Sequence, residues 1–194
     1  MAPSSTHWLL QLVVPMAVGA VLSVAPANAH AQQQPVSPLT PEHELLKRDV
    51  GTWETTITAW PAPGAEPITS RGRETSELLP GGLWLVTRFE GHMDGVPCSG
   101  AGFWGYDPAE KRYVGSWVDS MTPHLITIRG EYDPRTKTMT HVAEGRDAAT
   151  GEKFEHRSTQ EYLDDGTRLV KAYATGPDGK EWEMMEVKYT RVNQ

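Results

Sequence analysis

Turn signals that recur at a nearly constant spacing constrain this chain more than any other feature of its sequence. Gly81-Gly82, Asp94-Gly95, Asp107-Pro108 and Asp133-Pro134 are dipeptides typical of tight turns, and they follow one another in steps of 13, 13 and 26 residues. Thirteen residues hold one strand and a turn but leave no room for a crossover helix of a dozen or more residues. Consecutive strands are therefore expected to pair as antiparallel hairpins.

Ten strands fit between these turns. They are predicted near Thr52–Trp60, Ile68–Leu79, Leu83–His92, Pro97–Tyr106, Arg112–Ser120, Leu125–Tyr132, Thr138–Gly145, Lys153–Leu163, Arg168–Thr175 and Glu181–Arg191. An open sheet of this kind would expose two edges, and closure removes both of them. The sequence therefore predicts an all-β, antiparallel up-and-down barrel of about ten strands.

One short helix is predicted before the first strand. Thr40 is expected to be its N-cap, Pro41 its first residue and Gly51 its stop, with acidic residues in the first turn and basic residues in the last. Its leucines give it a single apolar stripe, which suits a helix that packs on one end of a barrel.

The N-terminal part of the chain has the pattern of an export signal. Trp8 to Val24 is an apolar run, and Ala27-Asn28-Ala29 and Ala29-His30-Ala31 are two overlapping A-x-A cleavage sites. The segment before the run lacks Lys and Arg, so an uncleaved membrane anchor is the alternative. We predict a signal peptide at 1–31, a flexible linker at 32–39 and a barrel domain at 40–194. The cleaved protein is expected in the periplasm or the medium, without stable membrane insertion.

Composition excludes several classes of partner and site. A net charge of -7 without a Lys/Arg cluster argues against a nucleic-acid partner, and the single Cys98 excludes a disulfide framework. His43-Glu44-Leu45-Leu46-Lys47 imitates the zinc motif H-E-x-x-H but has Lys47 at the second histidine position. The spacings between His92, His124, His141 and His156 match no metal motif, so no metal site is predicted.

A barrel of ten strands encloses more space than a row of short side chains can fill, which favours an internal ligand cavity. Five tryptophans fall on five predicted strands and could surround one cavity: Trp53, Trp84, Trp104, Trp117 and Trp182. Glycines at Gly100, Gly102, Gly105 and Gly115 leave room beside the rings or let the strands bend. We predict Trp104 and Trp117 as cavity walls, with Tyr189 or Arg191 as the polar anchor. The alternative is that the tryptophans are ordinary core.

The chain from Pro41 to Arg191 resembles the bacterial family of domains of unknown function numbered 1579, whose members have a lipocalin-like barrel. The resemblance is carried by residues 41–46, 50–54, 100–107, 130–133, 175–181 and 185–191. It implies a lipocalin-like fold and brings no established catalytic residues. Gly51-Thr52-Trp53 also resembles the G-x-W that opens the first strand of lipocalins, which implies that Trp53 plugs the barrel end beneath the helix.

The predicted function is therefore that of an exported carrier of a small apolar or amphipathic molecule, with no cofactor. Three alternatives stay open. The first is a haem-binding barrel, and the second is a structural module whose own side chains fill the interior. The third is an isomerase or hydrolase with Asp119, His156 and Glu186 as candidates, which would need a carboxylate of strongly raised pKa inside the cavity.

Overall fold

The computed structural model describes residues 38–176 and 178–192. The predicted signal peptide at 1–31 and residues 32–37 of the predicted linker lie outside these ranges.

The described chain is a closed antiparallel barrel in which every strand pairs with its neighbours in sequence and β1 pairs with β10. The predicted fold class, an all-β up-and-down barrel of ten strands with one short helix, is confirmed. The strands are β1 (Gly51–Ala59), β2 (Ile68–Leu78), β3 (Trp84–Met93), β4 (Val96–Asp107), β5 (Arg112–Asp119), β6 (Thr122–Asp133), β7 (Thr138–Arg146), β8 (Lys153–Tyr162), β9 (Thr167–Thr175) and β10 (Glu181–Arg191).

Pairing of the first and last strands closes the barrel. The register runs from Trp53 opposite Arg191 to Ala59 opposite Met185. Because closure leaves neither strand with an unpaired edge, the barrel needs no further element to protect its backbone hydrogen-bonding groups.

The helix before the barrel is shorter than predicted and begins differently. It consists of α1 (His43–Leu46) followed by a 3₁₀ helix (Lys47–Asp49). The N-cap is Glu42 and not Thr40, because the Thr40 carbonyl accepts the His43 N–H in a preceding turn. The Thr40 hydroxyl lies 3.0 Å from Nδ1 of His43 and does not cap a backbone N–H. Within the described residues, no helix is long and apolar enough to cross a bilayer.

The helix covers one end of the barrel, where the apolar core lies. Leu46, Leu85, Tyr113 and Met139 form a buried cluster there, and the Tyr113 hydroxyl donates to the Glu42 carbonyl at 2.9 Å. The core therefore joins the helix to strands β3, β5 and β7 and closes that end. We call it the helix end; the hairpin turns β3–β4 and β5–β6 lie at the opposite end, the rim.

Candidate functional site

A cavity of about 470 Å³ lies inside the barrel between the helix end and the rim. Leu45 and Leu46 of the helix lie at one end, and Met93 and Met121 lie at the rim hairpins. All ten strands contribute to the wall, whose apolar side chains include Ile57, Phe89, Ile126, Ile128, Val170, Met185 and Val187. The volume is typical of sites that enclose a small organic molecule.

Two of the five tryptophans line this cavity, and glycines on the neighbouring strand make room for both rings. A methyl group at Gly102 would lie 2.9 Å from Cε3 of Trp117, and one at Gly100 would overlap the same ring. Similarly, a methyl group at Gly115 would lie 2.8 Å from Cε3 of Trp104. These glycines let the rings lie against the barrel wall, which leaves the central space open.

The remaining three tryptophans do not line the cavity. Trp84 is 41% exposed and lies against Gly105. Trp182 is half-buried on β10. Trp53 is 2% exposed at the start of β1, and its indole Nε1 donates to the Asp49 carbonyl at 2.9 Å. Of the five tryptophans that could surround one cavity, Trp104 and Trp117 line it and these three do not.

A group of charged and polar side chains lies in the cavity wall near the helix end. We call it the floor cluster; its members are Asp49, Glu74, Gln160, Tyr162 and Arg168. Arg168 on β9 is 5% exposed and pairs through Nη1 with Asp49 at 2.7 Å and through Nη2 with Glu74. Tyr162 donates its hydroxyl hydrogen to Asp49 at 3.1 Å.

Aromatic rings surround the Arg168 guanidinium as well. Its central carbon lies 4.6 Å from the ring centre of Trp53 and 4.1 Å from that of Tyr189. Burial opposes the charge of this side chain, but the carboxylates of Asp49 and Glu74 raise the pKa of Arg168. Arg168 therefore stays a cation whose charge is already matched by two acids.

Glu74 is the member of the floor cluster with an unused acceptor. It is 6% exposed, and its Oε1 accepts from Arg168 and from the Ser76 hydroxyl at 3.3 Å. Across the described part of the chain, its Oε2 has no hydrogen-bond partner, although Glu74 lines the cavity. Burial raises the pKa of Glu74, and the Arg168 charge offsets part of that effect.

Tyr189 and His141 also line the cavity. Burial raises the pKa of Tyr189, whose hydroxyl has no hydrogen-bond partner among the residues described. His141 is 8% exposed, with Nδ1 3.4 Å from the Ser158 hydroxyl and its ring 5.0 Å from that of Trp104. Burial lowers the pKa of His141 to about 4, so this side chain is neutral at pH 7.

The structure places Arg191 outside the cavity lining. Its guanidinium stacks on Trp53 at 4.0 Å, on a ring that Arg168 also contacts. Nη1 and Nη2 donate to the carbonyls of Val50 and Arg48 at 2.5 and 2.7 Å. The ligand-binding role of Arg191 stays a prediction, whereas Trp104, Trp117 and Tyr189 all line one cavity.

The candidates for an enzyme do not converge. Asp119 lies at the rim, where it accepts from Nε1 of Trp117 at 3.0 Å and from the Met121 N–H at 2.8 Å. Glu186 pairs with Lys171 at 3.2 Å, and His156 stacks on Phe154; neither lines the cavity. In the ranges 38–176 and 178–192, no group of three metal-ligating side chains comes together.

Sequence reasoning missed the floor cluster. The partners of Arg168 lie 119 and 94 residues away in the chain, so no local motif records them. One signal was available: Glu74 lies two residues from Gly72 and Ser76, on the face of β2 that alternation points inward. A charged residue at an inward position of a barrel strand indicates a buried partner.

Comparisons with known proteins support the fold. A family model described as "Protein of unknown function (DUF1579)" matches residues 38–191, and a search of curated proteins found no match. The solved structure of Rv2717c from M. tuberculosis is similar, with a TM-score of 0.60 and 12% identity over 80% of this chain and 100% of that chain. The S-type phycobiliprotein lyase CPES from Guillardia theta has a TM-score of 0.53 and 12% identity over 79% of this chain and 93% of that chain.

Proposed function

The chain belongs to the DUF1579 family of proteins of unknown function, and from that premise we propose that it is an exported barrel protein that binds a small apolar or amphipathic molecule in its cavity. The observation that carries this proposal is the cavity of about 470 Å³ with an apolar wall and polar groups gathered near one end. Apolar walls supply burial, and a few fixed polar groups set the orientation of a ligand. The fold, shared with a phycobiliprotein lyase, is compatible with binding of a small ligand.

The enzyme alternative is favoured by one observation, the raised pKa of Glu74 inside the cavity. The geometry around Glu74 argues for a carrier instead. The Glu74 carboxylate is paired with Arg168, and the nearby Asp49 is bound to the same guanidinium. Within the described ranges, the nucleophiles that hydrogen-bond to these acids are the hydroxyls of Ser76 and Tyr162. Ser76 is 2% exposed and does not line the cavity, and burial raises the pKa of Tyr162. A phenol of raised pKa is a poor nucleophile at neutral pH.

Titration with N-phenyl-1-naphthylamine, an uncharged fluorescent probe, tests the proposal. The purified full-length chain should bind the probe saturably near one equivalent, and tryptophan emission should fall as the probe binds. Replacing Trp117 by alanine removes a cavity wall, so Trp117→Ala should weaken binding by about tenfold, equivalent to ~1.4 kcal/mol.

Trp84→Ala is the matched control, because it removes a tryptophan of β3 that does not line the cavity. Its probe affinity should stay within about twofold of wild type. The proposal fails if the wild-type protein binds no probe and native mass spectrometry finds no bound small molecule in protein purified from its source.

A further inference from the structure

We propose that the cavity selects ligands whose head group donates hydrogen bonds and carries no negative charge, a primary amine above all, and that Glu74 is the residue that receives this head. The inference rests on the proposed function, since it names the class of ligand that the same cavity binds.

The balance of charges in the cavity wall is the first observation. Three acids line the cavity, Asp49, Glu74 and Asp119, whereas Arg168 is its only lysine or arginine among the described residues. His141 adds no positive charge at pH 7, because burial lowers its pKa to about 4. The wall is therefore net negative, and a carboxylate that enters it meets like charge in surroundings from which water is largely excluded.

The engagement of Arg168 is the second observation. One guanidinium nitrogen binds Asp49 at 2.7 Å, the other terminal nitrogen binds Glu74, and the faces of the group contact Trp53 and Tyr189. The third nitrogen, Nε, has no hydrogen-bond partner in the described structure, but it is buried. An acidic ligand that approached either terminal nitrogen would have to displace one of these carboxylates and leave it buried without a partner. Breaking a buried ion pair in this way is strongly unfavourable, because it leaves an uncompensated charge away from water.

The acceptor available to a ligand is the third observation. Both oxygens of Asp49 are within reach of donors, from Arg168 and Tyr162 respectively. Glu74 uses Oε1 for Arg168 and Ser76, and within the described structure Oε2 receives no hydrogen bond. An oxygen on a side chain that is 6% exposed and lines a cavity is accessible mainly from that cavity. A donor placed there would satisfy it.

An ammonium group suits this oxygen better than a hydroxyl. It supplies the same hydrogen bond and adds a charge that compensates the second carboxylate of the floor cluster. Because burial raises the pKa of Glu74, the ionised form is costly in the empty cavity, and a cation beside it removes part of that cost. The expected order of affinity is therefore amine, then alcohol, then acid.

Three molecules with the same ten-carbon chain separate these heads: decylamine, decanol and decanoate. Each is used at pH 7 to displace N-phenyl-1-naphthylamine from the full-length wild-type protein. Decylamine and decanol should displace the probe, and decanoate should need a concentration at least about tenfold higher than decylamine, as like-charge contact predicts. Equal or tighter binding of decanoate overturns the inference while the proposed function stands. If the probe itself does not bind, the proposed function fails and the inference fails with it.

The role of Glu74 is tested by Glu74→Gln, which keeps the shape of the side chain and removes its charge. The preference for decylamine over decanoate should fall by about tenfold or more in this variant. Glu77→Gln is the matched control, because Glu77 lies on the same strand with an exposed carboxylate paired to Arg88. A preference that is unchanged in Glu74→Gln overturns the assignment of this residue. The wild-type series stays decisive for ligand class if Glu74→Gln does not fold.

Discussion

At the scale of single residues, His141 links the cavity to the pH dependence of stability. Burial lowers the pKa of His141 to about 4 in the folded protein, against 6.5 for the free side chain. As the pH falls from 6.5 to 4, His141 binds a proton in the unfolded chain but not in the folded protein, so the free energy of unfolding falls. The full difference amounts to about 3 kcal/mol. Urea unfolding should therefore show that the free energy of unfolding falls less between pH 7 and pH 4 in His141→Gln than in wild type.

Glu74 acts in the opposite direction. Its raised pKa means that the folded protein binds a proton more readily than the unfolded chain. This carboxyl therefore lowers the free energy of unfolding as the pH rises above 4.5. The comparison of wild type with His141→Gln removes this contribution, because Glu74 is present in both proteins. In His92→Gln, at an exposed position, the free energy of unfolding should fall between pH 7 and pH 4 by as much as in wild type. An identical loss in His141→Gln would show that this ring is accessible to protons.

At the scale of elements, Arg191 connects the last strand to the 3₁₀ helix and to the β8–β9 turn. It donates to the carbonyls of Arg48 and Val50 and, through Nε, to that of Asp165 at 3.0 Å. Arg191→Ala leaves these acceptors without their charged donor and removes the stacking on Trp53, so the free energy of unfolding should fall by about 2 kcal/mol. Hydrogen exchange should become faster at the amides of residues 47–53, where the contact is made.

Arg135→Ala is the control for this prediction. Arg135 lies in the β6–β7 turn with its side chain 86% exposed, so its loss should change neither stability nor exchange. Unchanged exchange at residues 47–53 in Arg191→Ala would mean that the 3₁₀ helix is held by other contacts, such as the Asp49–Arg168 pair.

The elements also show which parts of this structure a sequence can predict. Each hairpin is a local unit whose turn and alternation are encoded within about 25 residues, and the β10 strand was predicted with its observed bounds. The end of the helical segment was predicted to within one residue, since Val50, where ψ is 134°, directly precedes Gly51. Its beginning was not, because the Thr40 carbonyl accepts the His43 N–H in a separate turn before the helix. The floor cluster was not predictable, because its charges meet only after the barrel has closed.

At the scale of the whole molecule, the compartment of the protein depends on whether its N-terminal segment is cleaved. We expect the mature protein to begin near His30 or Gln32, because the apolar run of Trp8 to Val24 is followed by two A-x-A sites. N-terminal sequencing of protein from the native host measures this directly. Recovery of a chain that still begins at Met1 in the membrane fraction would instead show that the apolar run acts as an anchor.

The glycines beside Trp104 and Trp117 affect how the volume of the cavity can change in evolution or by design. Gly100, Gly102 and Gly115 do not line the cavity, yet a single methyl group on any of them would collide with a ring that does. At Gly100 the nearest atoms all belong to Trp117, so an added methyl group requires that ring to move, and a ring that moves inward reduces the internal volume. At Gly102 and Gly115 the methyl group would meet a backbone carbonyl oxygen as well as the ring. A mutational survey confined to lining residues would overlook these positions, although a small substitution there alters which molecules fit inside.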